Sequence, residues 1–378
     1  MAGTCSPRAV VVTASTKLPP DSLRPMRLGL NLGYWGTGND RDNIALAVAA
    51  DKLGYAVVWA AEAYGSDAPS VLAWLGALTE NIDLGAAVMQ IPARTPAMTA
   101  MTAATIDALS GGRFRLGLGV SGPQVSEGWH GVPFAAPLGR TREYVDIVRM
   151  ALRRETVEYS GRHWRLPLPN GPGKALRLTV HPVRDSVPLY LAAVGPKNLE
   201  LAGEIADGWL AIFYSPEHSG DLHECLATGA RRAGRGRADK PLDGFDIAAT
   251  VPVVLRDDVA GAAAAVNAYS ALYLGGMGSR EKNFYNQLAV RMGFEQAAQK
   301  VQDLYLARRH RAAAAAVPLE FVDATALLGP RSRIKERMTR YAEAGVTTLS
   351  ITPFAATLDE RLHVVRTMAE LMGETGLG

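Results

Sequence analysis

Ile82-Asp83-Leu84-Gly85-Ala86-Ala87-Val88-Met89-Gln90-Ile91-Pro92-Ala93-Arg94-Thr95-Pro96 is the stretch on which the fold turns. A short apolar run, Ile82 to Val88, gives way to a polar, proline-punctuated loop, and a helix opens at Pro96. Proline suits that position because its missing N–H would be unpaired in a first helical turn anyway. The same strand-loop-helix grammar recurs along the chain. Such repetition predicts an α/β fold, a (β/α)8 TIM barrel whose strand C-termini carry the chemistry.

Working outward, apolar blocks of strand length bounded by Gly and Pro read as strands buried on both faces. They fall at Met26–Leu32, Ala56–Ala61, Ile82–Val88, Arg113–Gly119, Val187–Ala193, Gly208–Phe213, Phe245–Leu255 and Thr347–Ile351. Helical patterns follow at Asn43–Leu53, from Ala68, at Pro96–Leu109, Leu138–Arg153, Pro196–Ala206 and Glu217–Ala233. Two segments interrupt the alternation. After the fourth strand come a Gly/Pro-rich loop, Val120–Pro137, and a small hairpin within Thr156–Leu168. After the seventh, a helical insertion of about Val259 to Pro330 is expected to wall or cover the site, since loops after the strands of a barrel carry function. An open, doubly wound sheet would show Gly-x-Gly-x-x-Gly after its first strand. Gly33-Tyr34-Trp35-Gly36 fails that spacing, and the glycines of Gly117-Leu118-Gly119 suit close packing instead.

The composition bounds the function. A net charge of +3 over 378 residues argues for neither nucleic acid nor a membrane surface. No apolar run approaches the about 18 residues of a membrane span. With two cysteines, neither a disulfide framework nor a cysteine metal site is expected. Residues 1–25 read as a disordered or loosely docked extension, with no signal peptide, and residues 26–378 as one barrel in a cytoplasmic protein, expected to be a homodimer acting on a small molecule.

The strand ends narrow the chemistry. None of the seven histidines falls at the end of an expected barrel strand, so a Ser-His-Asp hydrolase finds no footing. There is no His-x-x-x-His or dense acidic cluster for a metal, and no strand lysine for a Schiff base. The strand ends offer instead glycine, aromatics, amides and hydroxyls: Gly33–Gly36, Glu62–Asp67, Val88–Gln90, Ser121–Gln124 and Val194–Lys197. That lining suits a flat, bulky cofactor bringing its own reactivity.

Several segments together resemble the luciferase-like monooxygenase superfamily and, within it, oxidoreductases dependent on the deazaflavin coenzyme F420. They are Leu28–Gly36, Ala61–Asp67, Gln90–Ala97, Leu109–Phe114, Leu116–Gln124 and Gly195–Asn198. The resemblance implies a deazaflavin ring in the barrel mouth, against a bulge where the Ala87–Val88 peptide is cis. It implies cofactor contacts from Trp35, Ala87, Val88, Met89, Gly119, Ser121, Gly122, Gln124, Ala193, Gly195, Pro196, Lys197 and Ser215. An anionic cofactor tail would meet the helix start at Gly195-Pro196-Lys197, where a lysine otherwise opposes the helix dipole. Arg94 is a further candidate for the tail.

One departure matters. Family members that oxidise sugar phosphates or alcohols carry a histidine just after the second-strand acidic residue, where this chain has Ala63. Glu62, Tyr64, Ser66 and Asp67 remain as the catalytic candidates for proton handling. The expected function is hydride transfer between F420 and a small organic substrate, in the direction of reducing C=C, C=N or C=O. The alternatives are an FMN-dependent monooxygenase of the luciferase type and a barrel that binds a flavin or deazaflavin without turnover.

Overall fold

Short apolar strands separated by amphipathic helices can bury both sheet faces only if the sheet closes and the helices wrap it, and the chain does so. The computed structural model describes residues 24–35, 38 and 40–378; the expected N-terminal extension lies, apart from Arg24 and Pro25, outside the described residues. In chain order the elements are β1 (Arg27–Asn31), α1 (Asp40–Lys52), β2 (Val57–Ala60), α2 (Ala68–Leu78), β3 (Asp83–Ala86) and α3 (Pro96–Leu109). They continue with β4 (Phe114–Gly119), α4 (Pro137–Leu152), β5 (Leu189–Ala192), α5 (Pro196–Ile205), β6 (Gly208–Ile212), α6 (Gly220–Arg232), β7 (Asp246–Leu255), α7 (Arg331–Glu343), β8 (Thr348–Pro353) and α8 (Leu358–Thr375). Each strand pairs in parallel with the next, and β8 pairs with β1, so the eight strands form a closed (β/α)8 barrel. Among the described residues no helix is long and apolar enough to cross a membrane.

Trp59 fills the barrel axis, 1 % exposed, with Val57, Tyr190, Leu210 and Ala248 around it. Glycine makes the room. A Cβ on Gly85 would lie 2.0 Å from the Trp59 ring, and one on Gly117 would lie 1.9 Å from the Ala86 carbonyl oxygen. The strand N-terminal end is closed by polar side chains that satisfy one another. Arg115 pairs with Asp83 at 2.7 Å, Tyr190 donates to Asp246 at 2.9 Å, and Thr348 donates to the same carboxylate at 2.8 Å. Arg24 is bound nearby, donating to the carbonyls of Leu242, Phe245 and Gly345. With that end plugged, the opposite, C-terminal mouth is where a ligand can enter.

The segment after β7 is helical, as its pattern predicts: Val259–Ala271, a π-helical turn Leu272–Gly276, then Phe284–Arg291, Glu295–Leu306, His310–Ala315 and Leu319–Thr325. It also holds a strand missed by the sequence reading, Leu327–Gly329, which pairs in parallel with the end of β7. The insertion carries its own apolar cluster, and Phe213, one residue past β6, packs into it. That contact brings the insertion over the mouth.

Candidate active site at the barrel mouth

The β3–β4 edge shapes the mouth first. After Ala86 the Ala87–Val88 peptide is cis, as the resemblance implied, and Met89–Gln90 then resumes pairing with Leu118 and Gly119. Val88 fills the space where a Gly119 side chain would stand, its Cγ2 2.6 Å from an ideal Cβ. Gln90, 4 % exposed, donates through Nε2 to Ser121 Oγ at 2.9 Å, and its Oε1 meets His130 Nε2 at 3.0 Å. Ser121 has a left-handed backbone, φ 59°. Sparsely populated backbone of this kind collects at ligand sites, because surrounding contacts must enforce it. Gln124, expected in the same group, is exposed on the one-turn helix Pro123–Ser126.

Glu62 turns out to be a clamp. Its carboxylate accepts from the Ala68 N–H at 2.9 Å, the Gln90 N–H at 2.8 Å and both terminal nitrogens of Arg94. With its lone pairs committed to two backbone amides and a guanidinium, it has no free edge for a substrate proton; it positions Gln90 and the start of α2. Arg94, in turn, is held by that pair rather than left for an anionic tail. Asp67 is the N-cap of α2, accepting from Ser70 N at 3.0 Å, and Ser66 Oγ accepts the Trp35 N–H at 3.0 Å. Of the four catalytic candidates only Tyr64, 60 % exposed, keeps its polar group outside the hydrogen bonds that hold the loop. Ser215 is buried, and its hydroxyl donates to Glu217 Oε2 at 2.8 Å.

Tyrosines supply what the carboxylates do not. Tyr34 follows β1, Tyr269 and Tyr273 come from the first insertion helix and its π-helical turn, and Tyr285 from the next helix. Tyr269 and Tyr273 pack with their rings tilted at 53° and centroids 4.9 Å apart, and Tyr273 meets Tyr285 edge-on at 4.9 Å. All three pack against Phe213, which has φ 52°. The Tyr34 phenol neighbours that of Tyr273. Burial raises the pKa of Tyr34, Tyr269 and Tyr273 above the ordinary phenol value and pushes Tyr285 up to about 12. At neutral pH these groups are neutral hydrogen-bond donors. Trp35 adds an indole Nε1 that is buried with no partner among the described residues.

Across the barrel, α5 starts at Pro196 with Gly195 as an N-cap that offers no side-chain acceptor. Nothing lies within 4 Å of an ideal Gly195 Cβ, so the helix start is open. Lys197, 67 % exposed, pairs with Glu200 at 2.7 Å, an intrahelical partner that offsets its conflict with the helix dipole. Arg291, from the insertion, donates to the Val194 carbonyl at 3.0 Å beside the same turn, and Ala193 is buried, its carbonyl accepting from Trp209 Nε1. Among the described residues no group of three or more His, Cys, Asp or Glu could hold a metal.

The sequence pattern of the luciferase-like monooxygenase family matches residues 27–348, from the first strand of this barrel to its last. The chain belongs to that family. A Mycobacterium tuberculosis relative, provisionally named a coenzyme F420-dependent oxidoreductase, is 46 % identical over 336 residues, covering 88 % of this chain and 96 % of the relative. The 5,10-methylenetetrahydromethanopterin reductase of Archaeoglobus fulgidus is 33 % identical over 201 residues, 53 % of this chain and 56 % of that protein. Among solved structures, the coenzyme F420-dependent tetrahydromethanopterin reductase of Methanopyrus kandleri superposes with a TM-score of 0.76 at 22 % identity, over 92 % of this chain and 98 % of that one; at this identity the likeness speaks for the fold.

For this luciferase-like barrel, sequence reading placed the β3 bulge and the α5 start but missed His130 and the three insertion tyrosines. His130 lies in a loop and is carried to Gln90 only by the fold of Val120–Pro137. The tyrosines did carry a signal, since Tyr269, Tyr273 and Tyr285 cluster within one insertion, but nothing in their spacing says which strand end they cover.

Proposed function

We propose that this protein is an F420-dependent oxidoreductase that reduces a C=C, C=N or C=O bond of a small organic substrate by hydride transfer. The residues present fit the cofactor. The orphaned Trp35 indole N–H lies at the mouth, the α5 start is uncapped and open beside Lys197 and Arg291, and Val88 closes the floor where Gly119 has no side chain. When bound, F420 supplies a ring carbon that takes up or delivers hydride. Ala87, Val88 and Met89 would support one ring face, Trp35 and Ser121 its rim, and Gly195, Pro196 and Lys197 the anionic tail, because helix-start amides and cations favour phosphate.

The observation that carries the direction is the set of proton-bearing groups. Phenols hold their protons at neutral pH, so in this state they can donate a proton and cannot take one from an alcohol. They suit handing a proton to the atom that becomes electron-rich when its neighbour receives hydride. Removing a proton from an alcohol would call for a free base, and Glu62 is committed to Arg94 and two amides. Tyr34 and Tyr273, with Tyr64 at the rim, are the proposed proton donors.

The test is anaerobic turnover. Protein is mixed with reduced F420 and a panel of enones, imines and ketones, and separately with oxidised F420 and alcohols or sugar phosphates, following deazaflavin absorbance; FMN is titrated in parallel. Reoxidation of F420 by the first panel supports the reading. Turnover confined to alcohols overturns the direction, preference for FMN overturns the cofactor, and cofactor binding with no turnover in either panel overturns the activity.

A homodimer goes with this reading. On the adjoining helices α2 and α3, Trp74, Leu78, Met98, Met101 and Leu109 are 44–73 % exposed, and an apolar stripe of this kind on a barrel surface fits a second copy.

A further inference from the structure

Outside the mouth, a cavity of about 290 Å³ lies between the β3–α3 loop, the loop after β4 and the first turn of α4. None of Ala87, Val88, Gln90, Ser121 or the mouth tyrosines lines it. Its walls are mainly apolar, with Ile91, Val132, Phe134 and Trp164 among them, and two polar side chains face it without partners. Thr141 is 1 % exposed, and its hydroxyl has no hydrogen bond among the described residues. Arg140 has a buried, unpaired Nε and meets no carboxylate among the described residues. Glu127, on the neighbouring one-turn segment, is instead taken by the Phe134 N–H at 2.9 Å.

A buried hydroxyl and a buried guanidinium Nε–H without partners are costly, because folding has removed water from groups that must hydrogen-bond. Arg140 also lies in the first turn of α4, where a cation opposes the helix dipole and where Ala136 offers no side-chain cap. An anion placed here would satisfy all three features at once. A carboxylate fits better than a free inorganic ion, because the rest of the wall is apolar. At ~30 Å³ per water-sized group, the volume holds about ten non-hydrogen atoms.

We propose that this cavity is a second binding site, separate from the cofactor site, for a small apolar carboxylate whose head group pairs with Arg140 and Thr141 and whose tail packs on Ile91, Phe134 and Trp164. Because the Ile91–Thr95 segment also carries Arg94, partner of Glu62, the occupant would lie directly behind the clamp that holds Gln90. The inference does not depend on F420.

The test is calorimetric titration of the full-length protein with octanoate and with its neutral isostere octanamide. Octanoate should bind saturably at one site, and octanamide about tenfold or more weakly, the difference expected for losing a charge-assisted pair. Arg140→Met should weaken octanoate by a similar factor, Thr141→Val by about fivefold, and Val132→Trp should fill the cavity and abolish binding. Thermal melts report folding, and if Arg140→Met does not fold, Val132→Trp and the octanamide comparison decide. No saturable binding up to millimolar octanoate, equal affinity for the amide, unchanged affinity in folded variants, or stoichiometric displacement of octanoate by F420 would each overturn the proposal.

Discussion

Replacing Glu62 by Gln separates two roles that the chain leaves open until it folds. Glu62 and Arg94 have side-chain exposures of only 5 % and 15 %, so the pair sits away from solvent screening. Glutamine keeps the shape, but one of its polar ends becomes a donor facing either the Ala68 and Gln90 amides or the guanidinium, and Arg94 loses its counter-charge. Breaking a buried ion pair from one side costs about 3–5 kcal/mol, because the other charge stays buried and uncompensated. With a shift of about 2 °C per kcal/mol for a large domain, the melting temperature should fall by roughly 6–10 °C. Because Gln90 loses its anchor, F420 affinity should weaken as well, while the pH profile of turnover keeps its shape. Differential scanning calorimetry, a cofactor titration and a pH–rate profile read these three effects. A variant as stable as the parent that loses a titrating limb of its pH profile would refute the clamp and return Glu62 to the role of catalytic base.

Lys197→Glu should weaken F420 binding by about tenfold or more with little change in the melt, since Lys197 is exposed and its Glu200 partner stays paired with Arg232; unchanged affinity by fluorescence titration would move the tail elsewhere. Burial, with Arg24 adding repulsion, lowers the His223 pKa to about 4 from an ordinary value near 6.5. The unfolded chain therefore takes up a proton before the folded one does, so stability falls as the pH drops from about 6.5 towards 4, and His223→Asn should flatten that slope in melts across the range. Met101→Glu on the exposed α3 stripe should turn a dimer into a monomer of unchanged fold, read by sedimentation; a parent that is already monomeric would remove the proposed interface.

The periodic part of this protein was legible from its residues. Alternating apolar blocks and helix starts such as Pro96 and Pro196 are local signals, and the eight strands fall within a few residues of where those signals put them. Close packing around Gly117 was legible too, since a glycine in a buried strand has little other use. The roles of single side chains were not. Glu62 and Arg94 are 32 residues apart, and only when the barrel brings the ends of β2 and β3 together does the carboxylate become a clamp instead of a free acid. His130 reaches Gln90 through an irregular loop with no period to read, and Tyr269, Tyr273 and Tyr285 cover the mouth because Phe213 docks their insertion there. Local sequence determines which elements form, because hydrogen-bonding geometry and apolar period act over a few residues; tertiary closure decides which polar groups lose water and find partners, and that sets what each can do.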